Sequence, residues 1–408
     1  VSLTGDLARA VLRDNYVQSA AVSLLEQTAA ARLDEHVHQM RRLEKEGRLD
    51  RAVEFLPDDE ALKERRAQNL GLTRPELAVL VAYSKMSLFD ALLASSVPDD
   101  AFFERDLLGY FPPALAQKYP QALREHRLKR EIISTILANA VVNRMGASFA
   151  HRLAEDLGVG AADVVKAYAT AHEIYRGDVY WKSVEALDGT VPAVLQYKLL
   201  AGACGLMKHV TGWLLGSEFA SQPVAAAVQA LRQPVADLED LPDCLSPMYR
   251  EDWNRVAAGL RREHVPEEHV VRLANTKAMG SALDIVQLAT EHKVGLQFAA
   301  QVYFVTGEKF RLLWLLSAIV SLRVQGPWQA LARQNLRDDC YRIHSRLAGR
   351  VLRHAGATPT ARLEAWCAAH TRAASHALKQ IQDLQALDSP DFMSLAVAVR
   401  ELRKLRQL

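Results

Sequence analysis

The sequence predicts an all-α protein: a multi-helix bundle, in two helical subdomains, with no significant sheet. Three observations carry this expectation. The 408 residues include only 20 Gly and 15 Pro, below the roughly 7% and 5% of average proteins, while Leu, Ala, Arg and Glu dominate and Ile is scarce. No period-two run of four or more residues is bounded by hairpin signals. One pattern recurs along the chain instead: a cap, an apolar stripe spaced three or four apart, and a break at Pro or Gly.

The elements follow in order. Thr73-Arg-Pro75-Glu76 combines a cap, a Pro in the first turn and a Glu at the third helical position. Its stripe is Leu77, Leu80, Val81, Ser84, Leu88 and Leu92. Val97-Pro98-Asp99-Asp100 stops that helix and caps the next. Tyr119-Pro120 opens a long helix expected to run to about Arg144, ended by Gly146; Ile132, Ile133, Ile136 and Leu137 cover more than one face, so it is expected to be buried. Helices follow over 147–157, 161–175 and from Val191-Pro192 to about Leu215. The stretch 216–247 holds Pro223, Pro234, Pro242, Pro247 and an acidic run, and reads as a connector with one short helix at 223–232. It separates a first helical domain, 1–230, from a C-terminal bundle, 245–408. There Pro247, Pro266 and Pro327 each start a helix. Thr360 to Leu387 reads as one amphipathic helix of about 40 Å, and Phe392 to Leu405 repeats the pattern.

Charge and cysteine usage exclude several classes. Fifty Lys and Arg balance 48 Asp and Glu, for a net charge of +2; a protein that neutralises nucleic-acid phosphates needs a basic excess. Four scattered cysteines (Cys204, Cys244, Cys340, Cys367) form no CxxC pair. They suit a reducing cytoplasm rather than a disulfide scaffold or zinc ribbon. The apolar run Leu312 to Leu322 is too short for a bilayer of roughly 30 Å, so no membrane partner is expected. The start lacks the basic-then-apolar pattern of a secretory signal. Val1 stands where a Met would open a complete chain, which is expected to mark a fragment.

Motifs for chemistry are few. Gly158-Val-Gly160-Ala-Ala-Asp163 has two of the glycines of a dinucleotide fingerprint, but a helix precedes it and Asp163 would face the phosphates; it reads as a helix end followed by a helix start. Thr306-Gly307-Glu308-Lys309 reads as a helix break. Glu35-His36-Val37-His38 places two imidazoles about 200° apart on a helix, too far to share a metal, and reads as a solvated face. His264 and His269 read as a polar helix start, and Cys340 and Cys367 as free cysteines. Arg124, Arg127, Lys129 and Arg130 form a basic patch, solvated in part. The candidate cluster is Asn139, Asn143 and Arg144, where two amides four apart lie on the stripe of Ile132 and Ile136. A buried amide without a partner costs about 1–3 kcal/mol, so these residues are expected to bond across helices or to another domain or subunit. No catalytic, cofactor-binding or metal-ligating residue is assigned.

Several stretches resemble one family. They are Val11–Gln18 (VLRDNYVQ), Asp50–Pro57 (DRAVEFLP), Gly71–Lys85 (GLTRPELAVLVAYSK), Tyr110–Pro113, His126–Ile133, Val142–Gly146 (VNRMG), Phe149–Glu155 and Trp328–Tyr341. In order and spacing they resemble the C-terminal helical region of the large bacterial NAD-specific glutamate dehydrogenases, densely over about 7–200 and more thinly beyond. The resemblance implies that the parent enzyme oxidises L-glutamate with NAD and water to 2-oxoglutarate, ammonium and NADH. It also implies that the catalytic Lys and Asp and the nicotinamide fold lie upstream, so no catalytic residue is carried onto this chain. The fragment is then expected to bind no cofactor and to serve structure, oligomerisation or regulation. Its partners would be the upstream catalytic domain and further copies of itself, and its first helices, about Asp6 to Glu46, would brace the catalytic core. A stand-alone helical adaptor is the alternative.

Overall fold

In a computed structural model, residues 2–324 and 326–405 are described. Among them are 22 α-helices, four short 3₁₀ turns and no strand, so the fold is all-α. The chain divides into two compact units: 1–186 with 193–230, and 187–192 with 231–408.

The first unit contains α1 (Ser2–Thr28), α2 (Leu33–Lys45), α3 (Asp59–Ala67), α4 (Arg74–Leu93), α5 (Glu104–Tyr110), α6 (Pro113–Lys118), α7 (Pro120–Arg124), α8 (Lys129–Met145), α9 (Phe149–Leu157), α10 (Ala161–Ile174), α11 (Gly177–Glu185) and α12 (Ala193–Leu215). The close pair α4 and α8 forms its centre, and α10 packs on α9 and α12. The stripe of α4 foreseen from spacing is buried in full, Ser84 included, with Ser87 beside it. Each large aliphatic side chain so buried contributes about 2 kcal/mol. The start of α4 is held tightly. Glu76 accepts the Thr73 N–H at 2.7 Å and two Arg65 guanidinium bonds at 2.6 and 2.8 Å. Gly71, just before, lies so close to the turn after α1 that a Cβ would sit 2.3 Å from the Ala29 carbonyl carbon.

Two expectations for this unit are corrected. The helix opened at Pro120 does not run to Arg144: α7 ends at Arg124, and α8 begins at Lys129. Between them the His126 ring accepts the Leu128 N–H at 3.1 Å, a local side-chain bond that competes with helix. The buried face of α8 is also not the one with the asparagines. Ile133, Leu137, Val141 and Met145 line the core, whereas Ile132, Ile136, Asn139 and Asn143 are half-buried.

Within 216–247 the short helix expected at 223–232 is present and runs four residues further. This helix, α13 (Val224–Ala236), fills the middle of the stretch, with Pro234 in its last turn. The cause is an apolar stripe, Val224, Ala227, Leu231 and Val235, all buried.

The second unit contains α14 (Pro247–Arg262), α15 (Glu267–Met279), α16 (Ala282–His292), α17 (Leu296–Lys309), α18 (Leu312–Ser321), α19 (Gly326–Leu352), α20 (Pro359–Ala369), α21 (Thr371–Gln385) and α22 (Phe392–Leu405). Helix α17 is its axis, packed against α16, α19 and α20, with Ala299, Ala300, Val302, Tyr303 and Phe304 buried. Gly307 does not break it. The residue lies inside α17, where a Cβ would meet the Tyr249 hydroxyl at 2.4 Å and the His344 ring at 2.6 Å; it is a close-approach glycine. The helix expected over 360–387 is two helices, bent at His370, whose Nδ1 meets the Trp366 carbonyl at 2.9 Å while its ring stacks on the Trp366 indole at 4.9 Å.

Candidate functional site: the seat of the first helix

Four groups of polar side chains fix α1 and the turn that follows it. Arg74, the first residue of α4, donates to Ser23 Oγ at 2.8 Å, Glu26 Oε2 at 3.1 Å and the Ser19 carbonyl at 3.3 Å. Glu185, at the end of α11, bridges two arginines: Arg13 of α1 and Arg144 of α8, each at 2.7 Å on a separate carboxylate oxygen. Lys85 of α4 faces Asp14; burial lowers the Lys85 pKa and the Asp14 carboxylate partly restores it. After α1, Arg32 forks onto Glu35 at 2.8 and 2.9 Å, and the Ser148 hydroxyl donates to the same carboxylate.

This last triad is matched on both carboxylate oxygens. Burial alone would raise the Glu35 pKa, but the Arg32 charge and the hydrogen bonds from Arg32 and Ser148 outweigh it and hold the carboxyl well below the usual range. Gly146 makes room for it. Its backbone, at φ +90°, ends α8 beside Arg32, and a Cβ there would lie 3.1 Å from Leu25 and 3.5 Å from the guanidinium. Cys204 of α12 donates its thiol to the Arg144 carbonyl at 3.0 Å. Burial pushes that thiol up to about 11, against the pull of Arg32 and Arg144, so it is a packed group rather than a nucleophile.

Of the candidate cluster, Arg144 belongs to this seat. Beyond Glu185 it lies 5.7 Å over the Trp181 ring. Asn143 has a buried Oδ1 without a hydrogen-bond partner among the described residues, and Asn139 is half-buried farther along α8. The three do not converge on one pocket. Glu35-His36-Val37-His38 is corrected too: it is no solvated face. His36 is fully buried with neither ring nitrogen partnered among the described residues, and burial, then the Arg32 charge, push its pKa down to about 4. Only His38 is exposed, 2.7 Å from Glu155. Among the described residues no three His, Cys, Asp or Glu side chains group as a metal site.

The chain's one Gly-x-Gly segment does not fit a dinucleotide. Gly158 ends α9 in the left-handed conformation, and the Asp163 carboxylate already accepts the Gly160 N–H at 3.1 Å at the start of α10. A pyrophosphate would meet that carboxylate instead of free N–H groups.

The seat is assembled from segments that share the family resemblance: Arg13 and Asp14 from one, Gly71, Arg74 and Lys85 from a second, Arg144 and Gly146 from a third. Residues 69–404 match the family described as "Glutamate dehydrogenase, C-terminal". The chain belongs to this glutamate dehydrogenase C-terminal family. Three relatives, each named NAD-specific glutamate dehydrogenase, align along it. That of Pseudomonas aeruginosa is 36% identical over 410 residues, that of Halomonas elongata 32% over 408, and that of Mycobacterium tuberculosis 30% over 410. Each alignment covers 99–100% of this chain but 25% of the relative. The chain thus spans about a quarter of the length of the relatives it matches. The C-terminal family match begins just before Gly71, so α1, α2 and α3 lie ahead of it while still aligning with the relatives.

Sequence reasoning missed Glu185, Arg32, Glu35 and Ser148. Arg32 and Glu35, three apart, were a signal for an ion pair. Glu185 had none, since its two partners lie 41 and 172 positions away in the chain.

Proposed function

We propose that this chain is a non-catalytic helical module of an NAD-specific glutamate dehydrogenase, and that it holds α1 as a strut for the catalytic remainder of the polypeptide. The whole protein would oxidise L-glutamate with NAD and water to 2-oxoglutarate, ammonium and NADH. The names of the relatives support that activity. The position of this chain as a quarter of their length supports placing the chemistry elsewhere in the polypeptide.

One observation carries the structural role. The apolar stripe of α1 is covered over half its length only. Ala21 and Leu25 are buried in the first unit, 6% and 3% exposed. Leu3 and Leu7 lie eighteen residues earlier, five turns at 3.6 residues each, and therefore on the same face. Yet they are 46% and 61% exposed, with Val11 between them and the buried part at 50%. From Leu3 to Leu12 nearly every residue is exposed, so this end of α1 projects, while Glu185 at Arg13 and Arg74 at Ser19, Ser23 and Glu26 fix the rest. A projecting helix with an uncovered apolar stripe gains its stability by packing. The remaining polypeptide would supply that packing. Free thiols at all four cysteines support a reducing, cytoplasmic setting; self-association belongs to the same reading, as it does for most soluble enzymes of this kind.

The test is the double substitution Leu7→Asp with Val11→Asp in the full-length polypeptide. Glutamate oxidation with NAD is expected to fall at least tenfold while the helical content of this chain is kept. An unchanged rate overturns the role of α1.

A further inference from the structure

The segment Asp50–Pro57 shares the family resemblance but plays no part in seating α1. Its geometry is that of a rigid display. Asp50 Oδ1 accepts the N–H groups of Ala52 at 2.9 Å and Val53 at 3.3 Å, and the Leu56 N–H closes on the Arg51 carbonyl at 2.9 Å. Arg51 reaches Glu44 at 2.7 Å, Asp59 at 3.0 Å and the Pro57 carbonyl at 3.3 Å, and Tyr83 donates to Glu54 at 2.6 Å. Leu56 is buried. Between these fixed neighbours Phe55 adopts φ +54° and is 90% exposed, with Val53 beside it at 67%. A bulky residue in the left-handed region is strained, and such strain persists where the surroundings impose it and a function uses it. Here the surroundings impose an aromatic ring pointing into water.

The flanks say what would receive it. Residues 50–60 carry five acids (Asp50, Glu54, Asp58, Asp59, Glu60) and one base, Arg51. Aromatic anchors in well-packed pockets dominate interfaces, and complementary rims set the register. We infer that Phe55 is the anchor of a docking knob that inserts into an apolar pocket with a basic rim on the remaining three-quarters of the same polypeptide. This rests on the proposed role of the chain as a module of that polypeptide, but uses a surface separate from α1.

The test places a benzophenone amino acid at position 55 of the full-length protein, and in a second preparation at position 7, followed by irradiation and peptide mapping. The expected product at position 55 joins it to a segment of the same polypeptide outside residues 1–408. The same substitution with Glu60→Lys, which spares the helix cap at Asp58, lowers the yield at least threefold. Products confined to residues 1–408, products with a second copy, or no product overturn the knob. An outside product from position 7 together with none from position 55 sinks the knob and leaves the α1 strut standing; failure at both positions sinks both. Yield unchanged by Glu60→Lys removes the basic rim.

Discussion

In the first unit matched charges tie the helices around α1 and α4: Arg32 with Glu35 and Ser148, Arg144 and Arg13 with Glu185, Arg65 with Glu76. Around α17 in the second unit a cluster of neutral rings takes that place. His344 meets the Tyr303 carbonyl at 2.7 Å while its ring stacks on that of Tyr303 at 3.5 Å, and Tyr249 lies 5.0 Å from Phe304. Burial, only partly opposed by that carbonyl, pushes the His344 pKa down to about 3, and burial raises the hydroxyls of Tyr249, Tyr303 and Tyr341. An ion pair demands particular partners in a particular geometry, whereas stacked rings accept substitution by shape.

Four experiments break or sharpen that contrast. The largest effect is expected at the close-approach glycines. Gly71→Ala drives a Cβ into the Ala29 backbone, which cannot yield, and should cost roughly 4 kcal/mol in urea unfolding. Gly307→Ala meets side chains instead, so it should cost less, about 3 kcal/mol. Adding Tyr249→Phe should return part of that by removing the hydroxyl at 2.4 Å. No recovery would show that the Tyr249 hydroxyl is not the obstacle.

Acid comes next. An unfolded imidazole takes its proton near pH 6.5, but His344 in the folded state does so only near 3. Between these values the unfolded chain binds more protons, so the stability is full above pH 6.5 and declines as pH falls toward 3. At pH 4 the second unit should have lost about 3 kcal/mol through this group, and His344→Gln should flatten the decline. His36 and His151, pushed down to about 4 and about 3, act with the same sign in the first unit. There the Glu35 pairing is lost as well when pH falls below the ordinary carboxylate range, so its acid unfolding should steepen again below about pH 4.5. A single shallow decline in both units would contradict the contrast.

Smaller effects follow from deleting one polar group in each unit. Glu185→Ala strands Arg144 and should cost about 2 kcal/mol, with faster hydrogen exchange along α1 as Arg13 is released. Tyr249→Phe removes a buried hydroxyl that has no partner among the described residues, and should be neutral or stabilising by up to about 1 kcal/mol in thermal unfolding. Similar losses from both would mean that the two interiors do not differ in kind.

Helix existence was readable because caps and stripes are local. Thr73 and Glu76 announce α4 within four residues, and Leu77 to Leu92 repeat at the helical period. The errors lie where a single side chain decides. His126 and His370 each end a helix through one bond that periodicity cannot register. Gly307 was misread because its reason, the approach of Tyr249 and His344, spans 58 and 37 positions. The seat of α1 was legible in pieces, as segments sharing a resemblance. Its assembly required knowing which helices touch, and Glu185 was invisible until they did.

The most direct measurement is deuterium uptake along Leu3 to Leu12, compared between the full-length polypeptide and the 408-residue chain alone. Coverage of the projecting half of α1 by the rest of the polypeptide predicts exchange at least tenfold slower in the full-length protein, with the part of α1 near Leu25 little changed. Equal rates in the two would contradict it.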